Sequence, residues 1–270
     1  SVKKSVKKLL YFVLPFLFHN LAFSGGQLGR NTLGLVGLWH LNEGAGTLTQ
    51  DASGNGNYGT LQNSPAWVTG KFGSGLNFGP GNSNPTKRVD IANEANFDFL
   101  RSDAFYIVLF FKPPDAGVNA GFLVAKMGSP TGTGWAIEQQ IALVNDFAFT
   151  VRDDVPNRCR MLTNAFASTD PLFNGQYHSL IAWYGGDSNC SNLGMYLDGS
   201  SVTWKNNAGN AAALTSLITN DIAPSIGAIN VANDNFYGSI DEVAIYRGLM
   251  TPTKAMQIHR SFFEDRGHGE

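Results

Sequence analysis

The chain has 270 residues, of which 43% are hydrophobic and 12% aromatic, so it carries enough apolar surface to bury a large core. Only 15% of the residues are charged and the net charge is -2, which provides no basic surface for a phosphate backbone and argues against nucleic acid as a partner. The same composition excludes disorder for the bulk of the chain.

Residues 1–24 have the composition of a secretory signal peptide. Four lysines among the first eight residues precede an apolar run over residues 9–18, and the small-x-small triplet Ala22-Phe23-Ser24 follows. The apolar run is too short to span a bilayer, which needs about 20 residues. We therefore predict that the protein is exported, and that it is secreted or located at the cell surface. The alternative is a retained arm whose residues 9–18 insert into a membrane or into a neighbouring subunit.

Beyond residue 35 the apolar residues alternate with polar ones or form short runs that Gly, Asn, Asp and Pro interrupt. This spacing is typical of many short strands joined by turns. In chain order, the predicted strands are residues 36–41, 76–78, 88–91, 105–112, 121–127, 134–138, 147–152, 177–184, 192–197, 202–204, 223–226 and 238–246. So many strands indicate an all-β sandwich of two stacked antiparallel sheets.

One helix is predicted near the end of the chain, over residues 252–263 with Thr251 as its cap. We expect its apolar side to carry Met256, Ile258 and either Phe262 or Phe263. Together these elements predict one domain. Its residues are 34–260, with a linker at 25–33 before it and a polar tail at 261–270 after it.

Cys159 and Cys190 are the two cysteines of the chain. An even count in an exported protein favours one disulfide, which would close a loop of about 30 residues and add roughly 3.5 kcal/mol in the chain-entropy model. The alternative is a pair of separate buried thiols. The sequence contains no CxxC or HExxH motif, and therefore no recognisable zinc site.

Six segments, in this order, resemble the laminin-G-like, concanavalin A-like jelly-roll family. They are residues 34–46 (GLVGLWHLNEGAG), 51–61 (DASGNGNYGTL), 70–78 (GKFGSGLNF), 174–178 (NGQYH), 195–199 (MYLDG) and 238–246 (GSIDEVAIY). The resemblance implies a two-sheet antiparallel jelly-roll β-sandwich. The chain departs from the family at Phe110-Phe111, where Ala-Trp is usual, and at residues 210–220, which look like an insertion.

The resemblance also implies a structural calcium ion, held between an N-terminal loop and the Asp of the last long strand. The loop at residues 51–57 is rich in oxygen ligands and glycine, as calcium prefers. The candidate ligands are Asp51, Asn55, Asn57 and Asp241, with Glu43 as a possible substitute. The alternative is an Asx-rich turn whose side chains bond their own backbone, with Asp241 paired locally.

Tryptophan can stack on a sugar ring or fill a core. Trp39 and Trp183 lie within predicted strands, which favours a core position for both. Trp135 follows a glycine-rich segment and Trp204 precedes Lys205, so both lie nearer loops. We therefore take Trp135 and Trp204 as the candidate ligand-binding residues.

The sequence argues against catalysis. Jelly-roll glycosidases carry a Glu-x-Asp-x-x-Glu pattern that places two carboxylates on one strand face, and the chain has none. Asp241 and Glu242 are adjacent and are expected on opposite faces. His178 beside Tyr177 is expected to be structural.

Two functions from different classes remain. The first is a non-catalytic extracellular recognition or adhesion module that binds a glycan or a surface protein through loops at the sandwich edge. The second is a structural subunit of a cell-surface or extracellular filament, which self-assembles by inserting residues 9–18 into a neighbour. A glycan hydrolase is the third alternative.

Overall fold

The computed structural model describes residues 34–79, 86–114, 121–140, 146–154, 157–164, 166–167, 170–205, 211–229 and 235–263. The predicted signal peptide or arm, the linker and most of the polar tail lie outside these residues, so those predictions stay predictions. Among the described residues, no helix has the length and apolar character required to cross a membrane.

Short strands dominate the described part of the chain. In chain order they are β1 (Leu35–Trp39), β2 (Leu48–Thr49), β3 (Gly59–Gln62), β4 (Ala66–Thr69), β5 (Ser74–Asn77), β6 (Arg88–Ile91), β7 (Phe105–Lys112), β8 (Phe122–Lys126), β9 (Gly134–Gln139), β10 (Phe147–Arg152), β11 (Arg158–Thr163), β12 (His178–Tyr184), β13 (Leu193–Leu197), β14 (Ser200–Ser201), β15 (Trp204–Lys205), β16 (Ser225–Ile226) and β17 (Ser239–Arg247). One α-helix follows, α1 (Pro252–Phe263).

The strands form two antiparallel sheets that pack as a sandwich. The eight-stranded sheet has the order β14-β13-β12-β7-β17-β5-β4, and β1 also pairs with β17. The nine-stranded sheet has the order β15-β11-β10-β9-β8-β16-β6-β3-β2. The predicted all-β sandwich is confirmed. The sequence pattern missed β2, β3, β4, β11 and β14, which are short or strongly interrupted by polar residues.

Strand β7 lies at the centre of the eight-stranded sheet, between β12 and β17. Its side chains alternate between the two faces of the sheet. Those in the sandwich core are Phe105, Ile107, Leu109 and Phe111. Those in a second apolar cluster on the outer face are Tyr106, Val108 and Phe110. Because both faces are covered, the strand reads as a continuous apolar run.

Helix α1 covers the outer apolar cluster with its buried residues Ala255 and Ile258. Thr251 Oγ1 accepts a hydrogen bond from the backbone N–H of Lys254 at 3.2 Å, which confirms the predicted cap. Met256 is 37% exposed, so the prediction that it shares the buried side of the helix with Ile258 is wrong. Ala255 occupies that side instead.

The predicted disulfide is confirmed, since Cys159 and Cys190 are bonded. Cys159 lies on β11 of the nine-stranded sheet, and Cys190 lies in the turn before β13 of the other sheet. The disulfide therefore fastens the two sheets together near one edge of the sandwich.

The tryptophans in the strands occupy different environments. Trp39 is buried in the core, as predicted, and its Nε1 donates a hydrogen bond to the carbonyl of Asn57 at 2.7 Å. Trp183 is half-buried and packs on the outer cluster, so the prediction of a core position is wrong. Its ring lies over Gly194 of β13, where a Cβ would be 2.2 Å from the ring. The missing side chain at Gly194 makes room for the ring.

Candidate binding groove

The oxygen-rich loop at residues 51–57 is bound to the edge of β1 that faces away from β17. Asp51 Oδ1 accepts from the backbone N–H groups of Leu38 at 3.1 Å and Ser53 at 2.8 Å. Asp51 Oδ2 accepts from the Ser53 hydroxyl and from the N–H of Asn57, both at 2.8 Å. This one carboxylate therefore organises the loop and fixes it to the strand.

Two asparagines of the loop complete the cover of the strand edge. Asn55 Nδ2 donates to the carbonyls of Leu35 at 3.0 Å and Val36 at 2.9 Å. Asn57 Nδ2 donates to the Val36 carbonyl at 2.8 Å. Side chains thus satisfy carbonyl groups that would otherwise invite pairing with another chain.

The other candidate calcium ligands have different partners. Glu43 Oε1 accepts from Thr49 Oγ1 at 3.1 Å and from the N–H of Gln50 at 2.8 Å. Asp241 accepts from the backbone N–H groups of Phe72 at 2.9 Å and Glu242 at 2.8 Å. Burial raises the pKa of Asp241 to about 8, with the nearby Glu242 carboxylate acting in the same direction against the hydrogen bond from Phe72.

These residues do not fit a calcium site. Calcium requires six to eight converging oxygens, whereas both carboxylate oxygens of Asp51 already accept protein donors and Asp241 turns to another segment. In the described part of the chain, no group of three or more His, Cys, Asp or Glu is placed to hold a metal. Calcium binding stays a prediction, and the contacts favour the alternative of an Asx-rich turn.

A bulge in β17 brings the two adjacent acids to one side of the sheet. The register with β7 shifts between Asp241 and Ala244, and Glu242 has a φ of 50°. Asp241 accepts a hydrogen bond from the backbone of Phe72, whose side chain packs on the outer face of the sheet. Glu242 Oε2 lies beside this face, 2.9 Å from Nδ1 of His40. The expectation that the acids face opposite sides is wrong. Both are fully buried, and so are sealed from any substrate.

The two tryptophans proposed as ligand contacts lie apart. Trp135 is 1% exposed and packs against Phe99 and Phe105, with ring centroids 6.3 and 5.8 Å away. The prediction that Trp135 contacts a ligand is therefore wrong, because its ring is part of the core. Trp204 is 41% exposed on β15, an edge strand of the nine-stranded sheet, and stays a candidate.

A groove of about 390 Å³ lies beside the N-terminal half of β1. Its lining residues are Gly34, Leu35, Val36, Asn55, Asn96 and Arg247. The backbone of β1 and two side-chain amides form polar walls, and the Arg247 guanidinium brings a positive charge. Tyr58 directly follows the loop at residues 51–57 in the sequence, and 51% of its surface is exposed.

Contacts outside the groove fix the two side chains that complete it. Asn96 Nδ2 donates to Asn57 Oδ1 at 2.7 Å. Arg247 pairs with Asp103, and its guanidinium carbon lies 4.8 Å from the centre of the Phe99 ring. Both polar groups are therefore oriented before a ligand arrives, which reduces the entropy lost on binding.

Asn96 also depends on a buried lysine beneath it. Asn96 belongs to the 3-10 turn Glu94–Phe97. The ammonium of Lys126 lies 2.7 Å from Glu94 Oε2 and 3.1 Å from Asp98 Oδ1. It also donates to the carbonyls of Asn220 at 2.7 Å and Ile222 at 3.1 Å. Lys126 on β8 thus ties the turn that carries Asn96 to the nine-stranded sheet.

Such a groove can exchange hydrogen bonds with hydroxyl groups. An asparagine amide offers both donors and an acceptor, and a guanidinium offers fixed donors. Sequence reasoning missed Asn96 and Arg247, because the fold joins positions that are 41 or more residues apart in the sequence. The one available signal for the groove was Asn55, because it lies within the oxygen-rich loop at residues 51–57 that the sequence had already singled out.

Comparisons with known proteins agree with this architecture. The sequence model described as the concanavalin A-like lectin/glucanases superfamily matches residues 82–255, more than half of the chain. A comparison with curated proteins found no match.

Several solved structures share the fold. The binding domain of Paraclostridial Mosquitocidal Protein 1 aligns with a TM-score of 0.65 and 14% identity over 85% of this chain and 52% of that one. The binding domain of botulinum neurotoxin serotype G gives 0.59 and 11% over 84% and 50%. That of botulinum neurotoxin DC, in complex with rat synaptotagmin II, gives 0.61 and 11% over 85% and 52%. The chain spans about half the length of these structures. By its match to the family model and by its fold, the chain belongs to the concanavalin A-like lectin/glucanase superfamily.

Proposed function

We propose that this domain is a non-catalytic recognition module that binds a glycan in the groove beside β1. The observation that carries the proposal is the convergence of Asn55, Asn96 and Arg247 on one concave surface of about 390 Å³. A volume in this range suits a small ligand of one or two sugar rings. The amide oxygens of Asn55 and Asn96, and the N–H groups of Arg247 that do not face Asp103, can form directional hydrogen bonds with hydroxyl groups.

The composition of the groove supports binding rather than hydrolysis. Glycosidases hold a pair of carboxylates beside the scissile bond. The six lining residues include no acid and no nucleophile. Asp241 and Glu242 form a carboxylate pair, but both are fully buried. The groove therefore has binding groups without a catalytic pair.

Two further observations support a role outside the cell. The disulfide between Cys159 and Cys190 is of the kind that persists in oxidising compartments. The structural neighbours named above are toxin binding domains, one of them in complex with the protein synaptotagmin II. Their similarity supports a recognition role on this fold, and a protein partner is the alternative ligand to be tested.

The experiment is a glycan array followed by titration calorimetry with the strongest ligand. We expect Asn96→Ala and Arg247→Gln to weaken binding by about 5- to 10-fold each, the effect of one lost hydrogen bond. Asn164→Ala is the matched control, since Asn164 bonds to Thr203 Oγ1 away from the groove. Failure of every glycan to bind, or equal affinity in all three variants, would contradict the proposal.

A further inference from the structure

The amide of Asn55 has only its oxygen left for a ligand in the groove beside β1. A backbone carbonyl can accept a hydrogen bond but cannot donate one, so the amide nitrogen must face the carbonyls of Leu35 and Val36. The two contacts, at 3.0 and 2.9 Å, engage Nδ2. Oδ1 accepts no hydrogen bond from the described residues. Asn55 therefore offers a ligand a hydrogen-bond acceptor and no donor.

A relay through Asn57 fixes the amide of Asn96 in the same way. Asn57 Nδ2 donates to the Val36 carbonyl at 2.8 Å, so the other branch of this amide is the oxygen. That oxygen accepts from Asn96 Nδ2 at 2.7 Å. Asn96 Oδ1 receives no hydrogen bond from the described residues, and it remains for a ligand together with the second N–H of Nδ2. The polarity of one carbonyl on β1 is thus passed through two amides to the groove.

The positive charge of Arg247 is balanced by Asp103. The two side chains form an ion pair, and Asp103 Oδ2 also accepts from the backbone N–H of Leu100 at 3.0 Å. Because a guanidinium carries five N–H donors, the ion pair leaves donors for an oxygen of a ligand. Arg247 therefore brings hydrogen-bond donors to the groove without an uncompensated charge.

The other charged residues that hold the groove in place are mostly acids. Asp51 fixes the loop at residues 51–57 through four donors, all of them neutral. Glu94 and Asp98 share the ammonium of Lys126 beneath the 3-10 turn. These side chains leave an excess of negative charge around the groove. An anionic sugar therefore gains no net electrostatic attraction there.

We propose that the groove selects neutral sugars, whose hydroxyl groups donate to the amide oxygens of Asn55 and Asn96 while a sugar oxygen accepts from Arg247. This selection rests on the glycan binding proposed above and specifies the class of glycan. A hydroxyl group both donates and accepts, so it satisfies the amide oxygens and the guanidinium together. A carboxylate or a sulfate only accepts, and its charge would lie against the amide oxygens. Sialylated, uronic and sulfated glycans are thus disfavoured.

A glycan array that carries matched neutral and acidic oligosaccharides tests this selection on the full chain. Suitable probes are lactose, sialyllactose and sulfated lactose, with other oligosaccharides in the same three forms. We expect each neutral form that binds to do so about 5-fold or more tightly than its acidic forms. Asp103→Asn removes the partner of Arg247, so it should shift the preference toward the acidic forms. Asp154→Asn is the matched control, because Asp154 is an exposed acid that follows β10 and does not line the groove.

Deoxyfluoro derivatives then separate hydrogen-bond donation from acceptance. Fluorine in place of a hydroxyl group cannot donate a hydrogen bond. For the neutral oligosaccharide with the strongest array signal, we expect fluorination at a contacting position to weaken binding by about 5- to 10-fold, as removal of the hydroxyl group does. Asn96→Ala should abolish this loss at one position, and the control Asn164→Ala should keep it.

The outcomes distinguish the selection from the binding itself. Tighter binding of the acidic forms would overturn the selection while leaving glycan binding intact. Unchanged affinity of every deoxyfluoro derivative would do the same, because the amide oxygens would then receive no hydrogen bond from the sugar. The absence of binding to every glycan would instead overturn the function proposed for the groove.

Discussion

Replacing Asp51 with alanine should release the loop at residues 51–57 from β1 and loosen the groove beside it. The carboxylate accepts the backbone N–H groups of Leu38, Ser53 and Asn57, together with the Ser53 hydroxyl. Alanine removes all four acceptor contacts at once. The variant therefore tests whether the loop is held by its own hydrogen bonds.

The expected cost follows from the burial of the donors. Leu38 and Asn57 are buried, and a buried donor that loses its acceptor costs about 1–3 kcal/mol. Ser53 is half-buried, so water can replace part of its loss. We expect Asp51→Ala to lower the free energy of unfolding by about 2–4 kcal/mol. At this chain length, the melting temperature should fall by roughly 5–12 °C.

The assay is thermal unfolding followed by circular dichroism, with Asp51→Asn as the conservative control. Asparagine keeps one acceptor oxygen, so the free energy of unfolding of Asp51→Asn should lie between those of the wild-type protein and of Asp51→Ala. Each protein is measured in calcium, in magnesium and in a chelator. For each protein, we expect the melting temperature in calcium to be no higher than the melting temperature in magnesium. A calcium-dependent rise in the melting temperature of the wild-type protein that Asp51→Asn abolishes would show instead that a metal ion holds the loop.

Three further changes test the supports of the sandwich. Lys126→Met should lower the unfolding free energy in urea by about 3–5 kcal/mol, because it removes the buried ammonium from its partners; a loss within error would contradict the role given to this lysine. Serine at both Cys159 and Cys190 should cost about 2–4 kcal/mol and make the melting temperature insensitive to reductant, in contrast to the wild type. Although burial opposes it, hydrogen bonding to His178 holds the pKa of Asp198 below its ordinary value of 3.8. The stability that Asp198 contributes is therefore complete above pH 3.8 and is lost as the pH falls through the folded-state pKa. Acid titration should show the advantage of the wild type over Asp198→Asn disappearing in that range, and a constant difference would contradict it.

The sandwich was predictable because its strands carry strong local signals. Strand β7 is an uninterrupted apolar run whose predicted bounds match the structure. The cap at Thr251 is similarly local, since it depends on one hydroxyl and the first turn of α1. The disulfide was predictable from two cysteines alone. These features need only residues that are close in the sequence or rare in it.

The site was predictable only in part, because tertiary contacts decide it. Trp135 follows a glycine-rich segment, yet its ring enters the core beside Phe105. The bulge in β17 reverses the simple alternation expected at Glu242, and no local motif announces its φ of 50°. Asn96 and Arg247 meet only when the sheet is formed. Sequence reasoning singled out the loop at residues 51–57 for its oxygen ligands, but it did not predict the contacts of this loop with β1.

Glycan binding in the groove beside β1 is tested most directly by mapping the backbone amide signals that shift in NMR spectra when a glycan identified on the array is added. We predict that the largest shifts occur in residues 34–36 and at Asn55, Asn96 and Arg247. Shifts confined to the surroundings of Trp204, or spread evenly over the sheets, would contradict a binding groove beside β1.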